Sequence, residues 1–499
     1  MKNILQHRNW ISRMTLAVLS ALLLIAARPA LAETPTVLYT FTGGTDGGGP
    51  NATLIADDEG NLYGTTEYGG QFGQGTVFEL SPNGSGGWNE SVLYSFCSQA
   101  NCADGASPQY SSLIPDDNGN LYGTASQGGA NGDGVVFELS PGTPWTEAVL
   151  YSFGSFPGDG ISPVNGLIMD SQDNLYGTTE QGGTNGTGIV FELSAGVWTE
   201  QVLYDVDNTS GEAETAGLTM DPNGNIFGIT PSTVYELSPN GSGGWNPRVI
   251  YKNAGLGAQG TLALVFNLEK NIENLYGTTQ FGGLNGFGTI YELSLLESGK
   301  WKSKSISNLK WPPVSDPWAG VVLDAAGDIY GTSLLGGEGE AGDVFELLAP
   351  VVTGGYDQEV LCEFSFSEYS PYGGLLLNNG FLYGTNSTGE NGAGDVFVVT
   401  QLGAKTLTTL TSSPNPSADG QTVVFTATVT SNIGVPPDGE TVSFMKGKTV
   451  LGTGTLTGGS ASFATSTLKV GTNSIKAVYG GDSKLSGSTS KPVKQVVTN

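Results

Sequence analysis

The stretch LKWPPVSDPWAG, Leu309 to Gly320, places Trp311 and Trp318 on either side of Asp316, with proline beside each ring. Indole faces stack on sugar rings, and a nearby carboxylate accepts hydrogen bonds from hydroxyl groups, so this spacing suits a glycan contact. Tyr110, Phe156 and Tyr372 stand in corresponding segments and complete the candidate ligand-binding set. The competing reading has the tryptophans packing a proline-rich loop onto the fold, with no ligand involved.

The same segments carry Asp46, Asp104, Asp159 and Asp316, a candidate broken ring of carboxylates. Oxygen ligands of this kind hold calcium. No dense D-x-D-x-D run accompanies them, so turn formation by aspartate is the competing role. Cys97 and Cys102 lie five apart in FCSQANC, a spacing for a local disulfide in an oxidising compartment. Cys362 sits in a strand-like run and reads as a buried, inert thiol.

Catalysis has little to work with. The one histidine is His7, so residues 33–499 contain none, which excludes Ser-His-Asp and Cys-His nucleophiles and His-ligated zinc or copper. Paired carboxylates for glycoside hydrolysis remain. No catalytic residue is assigned, and no cofactor other than calcium is expected. Glu79, Glu138, Glu192, Glu236, Glu292 and Glu346 recur at one place in a repeated FEL or YEL. A residue present in most repeats serves the repeat, because a single active site needs an asymmetric set. Trp88, Trp145, Trp198, Trp245 and Trp301 are structural by the same reasoning.

The repeat that positions these residues is marked by NLYGT and its variants, whose aromatic falls at 63, 122, 176, 227, 276, 330 and 383. Steps of 49 to 59 residues indicate stacked supersecondary units. Each unit predicts four short strands, in the first unit Ala52 to Asp57, Asn61 to Glu67, Gly75 to Ser81 and Trp88 to Phe96, with Gly/Asn/Asp turns between them. Four antiparallel strands make a propeller blade. The seventh unit lacks its fourth strand, and TVLYTF at Thr36 to Phe41 is a spare copy of that strand at the start of the chain. Pairing the two predicts a seven-bladed β-propeller closed by the N-terminal strand, with no exposed sheet edge.

Two resemblances carry the reading further. The pattern GNLYGTT, then a Gly-rich hairpin, then VFEL is similar to the GloVer (Gloeobacter/Verrucomicrobium) tandem repeat over about residues 36 to 400, and implies an exported repeat protein of no defined activity. The fourth copy, GITPSTVYELS, has lost the Gly-rich hairpin. Residues 405–499, from SPNPSADGQTVVFTATVTS to LKVGTNSIKAVYGGD, resemble a bacterial Ig-like domain of group 3, which implies a β-sandwich used as a spacer or adhesive stalk.

Residues 1–32 read as a signal peptide, with Lys2, Arg8 and Arg13 before an apolar run and Ala30-Leu31-Ala32 as the cleavage site. The domains expected are thus 1–32 signal, 33–404 propeller and 405–499 sandwich, all-β throughout. Charge follows this division: residues 33–404 hold seven basic and 43 acidic side chains, and none is basic from Glu33 to Pro247. Such a field repels phosphate backbones, which excludes nucleic acid as a partner. The expectation is an exported cell-surface or secreted monomer that binds a glycan or envelope component. The alternatives are a secreted glycan-cleaving enzyme using paired carboxylates on the loop face, and a structural envelope or matrix protein.

Overall fold

The computed structural model describes residues 35–206, 217–252, 258–267, 272–309, 314–324, 327–336, 341–348, 356–364, 371–389, 392–400, 406–431, 435–447, 449–481, 485 and 487–498. Within these the chain is all-β, and its helical content is one three-residue turn, Ala100–Cys102. No helix among the described residues is long and apolar enough to cross a membrane.

Seven sheets of four antiparallel strands occupy the repeat region. In the first, Ile55–Ala56, Leu62–Thr66, Thr76–Pro82 and Trp88–Ser95 follow in chain order. The seventh takes Leu376–Asn378, Phe381–Asn386 and Asp395–Thr400 from the end of the region and Thr36–Thr40 from its start. Thr36 pairs with Val398, Val37 with Phe397 and Thr40 with Asp395. The opening strand therefore covers what would be a bare edge.

Each residue of the repeated signature has a physical task. Asp57 accepts from the Asn61 backbone N–H at 2.8 Å, from its side-chain amide at 2.8 Å and from the Tyr63 hydroxyl at 2.9 Å, so one carboxylate fixes the turn and both flanking side chains. Asp116 and Asp170 repeat the arrangement. Gly64 stands opposite Phe78 in the register, and a Cβ there would lie 2.7 Å from the phenylalanine ring. Gly123 and Gly177 meet Phe137 and Phe191 at 2.6 Å in the same way. The glycine is thus required by ring packing, not by φ. Gly177→Ala is expected to overpack this contact and cost about 1–3 kcal/mol in chemical denaturation, whereas Gly186→Ala, which meets no atom within 4 Å, strains only an exposed positive-φ turn.

The threonine that follows ties neighbouring sheets together. Thr65 donates to the Ser111 carbonyl at 3.0 Å, Thr124 to Asn165 at 3.0 Å and Thr278 to Ala319 at 3.1 Å. Thr385 of the last sheet donates to Ala52, ahead of the first, at 3.0 Å. Apolar packing follows the same order. Phe41, Leu54, Leu62, Phe78, Leu80 and Val396 form one cluster that joins the last sheet to the first, with Trp88 and Tyr383 packed against it. Trp198 lies on Tyr122, Trp245 on Tyr176 and Trp301 on Phe227, each tryptophan reaching the preceding sheet. Cys362 is buried and outside any disulfide.

The C-terminal segment forms a three-stranded and a six-stranded sheet. Val423, Phe425, Ala427 and Val429 alternate inward along one strand and join Val442, Phe444, Ile475 and Tyr479 in a separate core.

Candidate functional site

The segments between sheets carry both candidate sets, and they run beside the Gly-rich hairpins. Gly48 N–H donates to the Tyr68 carbonyl at 2.9 Å and Gly70 N–H to Gly44 at 2.8 Å, and Ala106 bridges Gln127 in the second unit. The aspartates are satisfied inside these segments. Asp104 accepts from the Tyr94 hydroxyl at 2.7 Å, the Ser98 N–H at 2.7 Å and the Ser98 hydroxyl at 2.8 Å. Asp159 does the same with Tyr151 and Ser155, and Asp46 with Tyr39 and Thr42. Burial alone would raise the Asp46 carboxyl, but the bonds from Thr42 and Tyr39 outweigh it and hold the group below its usual value. Each aspartate anchors its own turn, and no three His, Cys, Asp or Glu side chains among the described residues are grouped to hold a metal ion. Asp316 is not their counterpart. It lies at φ 61°, beside the short pairing of Val314–Ser315 with Leu335–Gly336, and half-buried. Burial raises its carboxyl, opposed by a hydrogen bond from Gln280. Cys97 and Cys102 are joined in a disulfide across the second connecting segment.

Three of the six candidate ligand residues come together. A cavity of about 950 Å³ is lined by the first strand of several units and the residues just before it, among them Tyr110, Trp318 and Tyr372. Ring centroids are 6.5 Å apart for Tyr110 and Tyr372 and 5.6 Å for Trp318 and Tyr372, with interplanar angles of 75° and 80°. All three rings are half-buried, so each keeps open surface. Phe156 is elsewhere. It is 46% exposed at the tip of a turn closed by Asp159 N–H on its own carbonyl. Val164 lines the cavity in its unit instead. Trp311 lies outside the described residues.

A proline in five of the seven connecting segments explains the placement. Pro50, Pro108, Pro163 and Pro317 sit against Gly394, Gly75, Gly134 and Gly288 of the preceding sheet, where a Cβ would collide with the ring. The residue after the proline then faces the cavity: Asn51, Gln109 with Tyr110, Val164, Trp318 and, after Pro371, Tyr372. This position varies within an otherwise repeated frame, and that variation is the signal that would have found Asn51, Gln109 and Val164 and rejected Phe156.

Polar groups converge on the rings. Asn51 donates to Glu67 at 3.1 Å and accepts the Tyr110 N–H at 3.0 Å. Glu180 lines the cavity directly. The Tyr110 hydroxyl is pushed up by burial and, against a hydrogen bond with Gln109, further by the charges of Glu67 and Glu180. Glu67 is itself raised by burial, with the Asn51 bond opposing. The Nδ2 of Asn165, another lining residue, is buried with no acceptor. Glu67 and Glu180 stand four residues after the repeated aromatic of their units, where other units have Ser126, Pro231, Gln280, Leu334 and Ser387.

The model of the Gloeobacter/Verrucomicrobia repeat matches residues 86–242 and 231–435, well over half of the chain. The chain belongs to the Gloeobacter/Verrucomicrobia repeat family. A bacterial Ig-like domain of group 3 matches residues 410–498 of this Gloeobacter/Verrucomicrobia repeat protein. The match to the repeat begins at residue 86, after the first NLYGT, although that copy at Asn61 to Thr65 makes the same contacts as the others. No curated protein matches the chain. Among solved structures, the repeat protein is similar to the extracellular domain of a one-component system from B. thetaiotaomicron, at 10% identity and a TM-score of 0.44, covering 93% of this chain and 59% of that one. It thus spans less than two thirds of that protein's length. A protein from Lactobacillus plantarum is similar at 15% identity and a TM-score of 0.43, covering 65% of this chain and 87% of that one. An ulvan lyase, from a family of polysaccharide lyases, is similar at 10% identity and a TM-score of 0.44, covering 75% and 96%.

Proposed function

We propose that the seven sheets are the blades of a closed β-propeller over residues 33–404, carried with an Ig-like sandwich over 405–499. The exported protein binds carbohydrate in the cavity between the first strands. The observation that carries this reading is the meeting of Tyr110, Trp318 and Tyr372, from three different units, around one cavity with Asn51, Gln109 and Glu180 on its wall. Half-open aromatic rings supply stacking area for a pyranose, and amide and carboxylate groups supply hydrogen-bond partners for its hydroxyls. Ring closure is supported by the pairing of Thr36–Thr40 with Asp395–Thr400 and by the Thr385 to Ala52 bond.

A glycan array probed with the purified chain tests the reading. Trp318→Ala and Tyr372→Ala are each expected to weaken binding at least tenfold, as loss of about 1.5 kcal/mol or more of stacking requires. Phe156→Ala is expected to leave binding unchanged. Chelator is expected to have no effect, because Asp46, Asp104 and Asp159 spend their oxygens on local turns. Wild-type binding to no glycan on the array, or equal binding by the Trp318 and Tyr372 variants, refutes the assignment. A cleaving enzyme is the second reading, favoured by the carboxylate of Glu180 on the wall and that of Glu67 behind Asn51. Release of reducing ends, abolished by Glu180→Gln alone, establishes it.

A further inference from the structure

The wall of the cavity has a charge as well as a shape. Among the described residues no lysine or arginine lines it, and the chain has none between Glu33 and Pro247. Glu180 is part of the wall, and Glu67 stands behind Asn51, bonded to its amide at 3.1 Å. Aromatic faces themselves attract cations through the ring quadrupole, and three of them meet here. Within the cavity these attractions, and any repulsion, are screened less than on the open surface.

Resting on the carbohydrate reading above, we infer that the cavity selects glycans built of amino sugars with free, protonated amines, and rejects uronates. The sugar rings stack on Tyr110, Trp318 and Tyr372, and the ammonium group lies toward Glu180 and Glu67. The buried Asn165 amide, which lacks an acceptor, takes a hydroxyl or ring oxygen of the ligand. A uronate of the same size would bring a carboxylate against Glu180 and Glu67 and leave its charge uncompensated.

Titration calorimetry with the full chain at one pH and low salt, using four probes, tests this. The probes are a hexamer of glucosamine, its fully N-acetylated counterpart, a hexagalacturonate and spermine. The glucosamine hexamer is expected to bind about tenfold more tightly than the acetylated one, and the hexagalacturonate not at all. The double variant Glu67→Gln with Glu180→Gln keeps side-chain size, and it is expected to bring the two glucosamine-based hexamers to equal affinity. Raised salt is expected to narrow the same gap. Equal affinity of the two hexamers for the wild-type protein, or a preference that survives the double variant, overturns the inference and leaves carbohydrate binding standing. Tight binding of the hexagalacturonate overturns it too. Spermine that matches the glucosamine hexamer shows that charge is read without sugar, so the carbohydrate reading falls and the selection for cations stands. Binding of none of the four overturns the inference, and the glycan array then decides the carbohydrate reading.

Discussion

A chain lacking Thr36–Phe41 is expected to lose cooperative unfolding near physiological temperature and to aggregate, while the Ig-like segment keeps its own core. The deletion bares the hydrogen-bonding edge of Asp395–Thr400, a flat strand with a Val-Phe-Val-Val run that another chain can pair with. It also removes Phe41, which is fully buried, 5.0 Å from Phe78, and part of the cluster joining the last sheet to the first. Losing one large buried aromatic costs about 3–5 kcal/mol, and domains of this kind are stable by only about 5–15 kcal/mol. The point variant Phe41→Ala isolates that part of the effect, with an expected loss of about 3–5 kcal/mol in chemical denaturation and no change in secondary structure. Calorimetry and size exclusion distinguish the outcomes. An unchanged melting profile for the deletion would mean that the seventh sheet holds without its fourth strand, and ring closure would lose its support.

Stability is also expected to fall as pH rises from 5 to 8. Glu90, Glu147 and Glu200 recur at one place in the fourth strands of the first three units, each half-buried, each with its Oε1 buried and unpartnered. Burial raises each of them to about 7, with further repulsion from Asp46, Asp104 and Asp159 respectively. A carboxyl raised in the folded state binds its proton more tightly there than in the unfolded chain. Its contribution is therefore complete below the unfolded value near 4.5 and lost as pH passes 7. Because these groups are partly open to solvent, about 1 kcal/mol apiece is a fair scale, or about 3 kcal/mol together. The carboxyls held low, Asp46, Asp57, Asp116 and Asp170, act in the opposite sense and set the acid limit, since their bonds are lost only as pH falls below the ordinary aspartate range. Maximum stability is accordingly expected near pH 5. The triple variant Glu90→Gln, Glu147→Gln, Glu200→Gln should flatten the fall between pH 5 and 8. A profile that rises over this interval, or a triple variant that follows the wild type, would show that solvent reaches these carboxyls freely.

Both expectations start from positions that recur, and recurrence made much of the fold legible. Alternation, turn residues and the repeat spacing are local properties, so the four strands of each unit and the strand completing the seventh could be read before any contact was known. The alternation at Val423 to Val429 showed the inward face of the sandwich for the same reason. The Cys97–Cys102 pair was legible because five residues of chain confine its partner choice.

What the sequence alone determined, then, was everything that depends on near neighbours in the chain: the repeat, its strands, the confinement of histidine to His7 and the acidic field. Only the tertiary structure decided which side chains meet. Trp318 and Tyr372 touch across 54 residues, and Tyr110 reaches Tyr372 across 262, because successive sheets bring the residue after each proline to one cavity. Phe156 belongs to the wrong side of that proline and stays outside, although its type and spacing matched. The carboxylates show the same limit: type and period cannot tell Asp104, whose oxygens are consumed by Tyr94 and Ser98, from Glu180, which faces the cavity. The physical reason is that a side chain's chemistry depends on the partners left to it, and those partners come from distant segments whose register is set by packing.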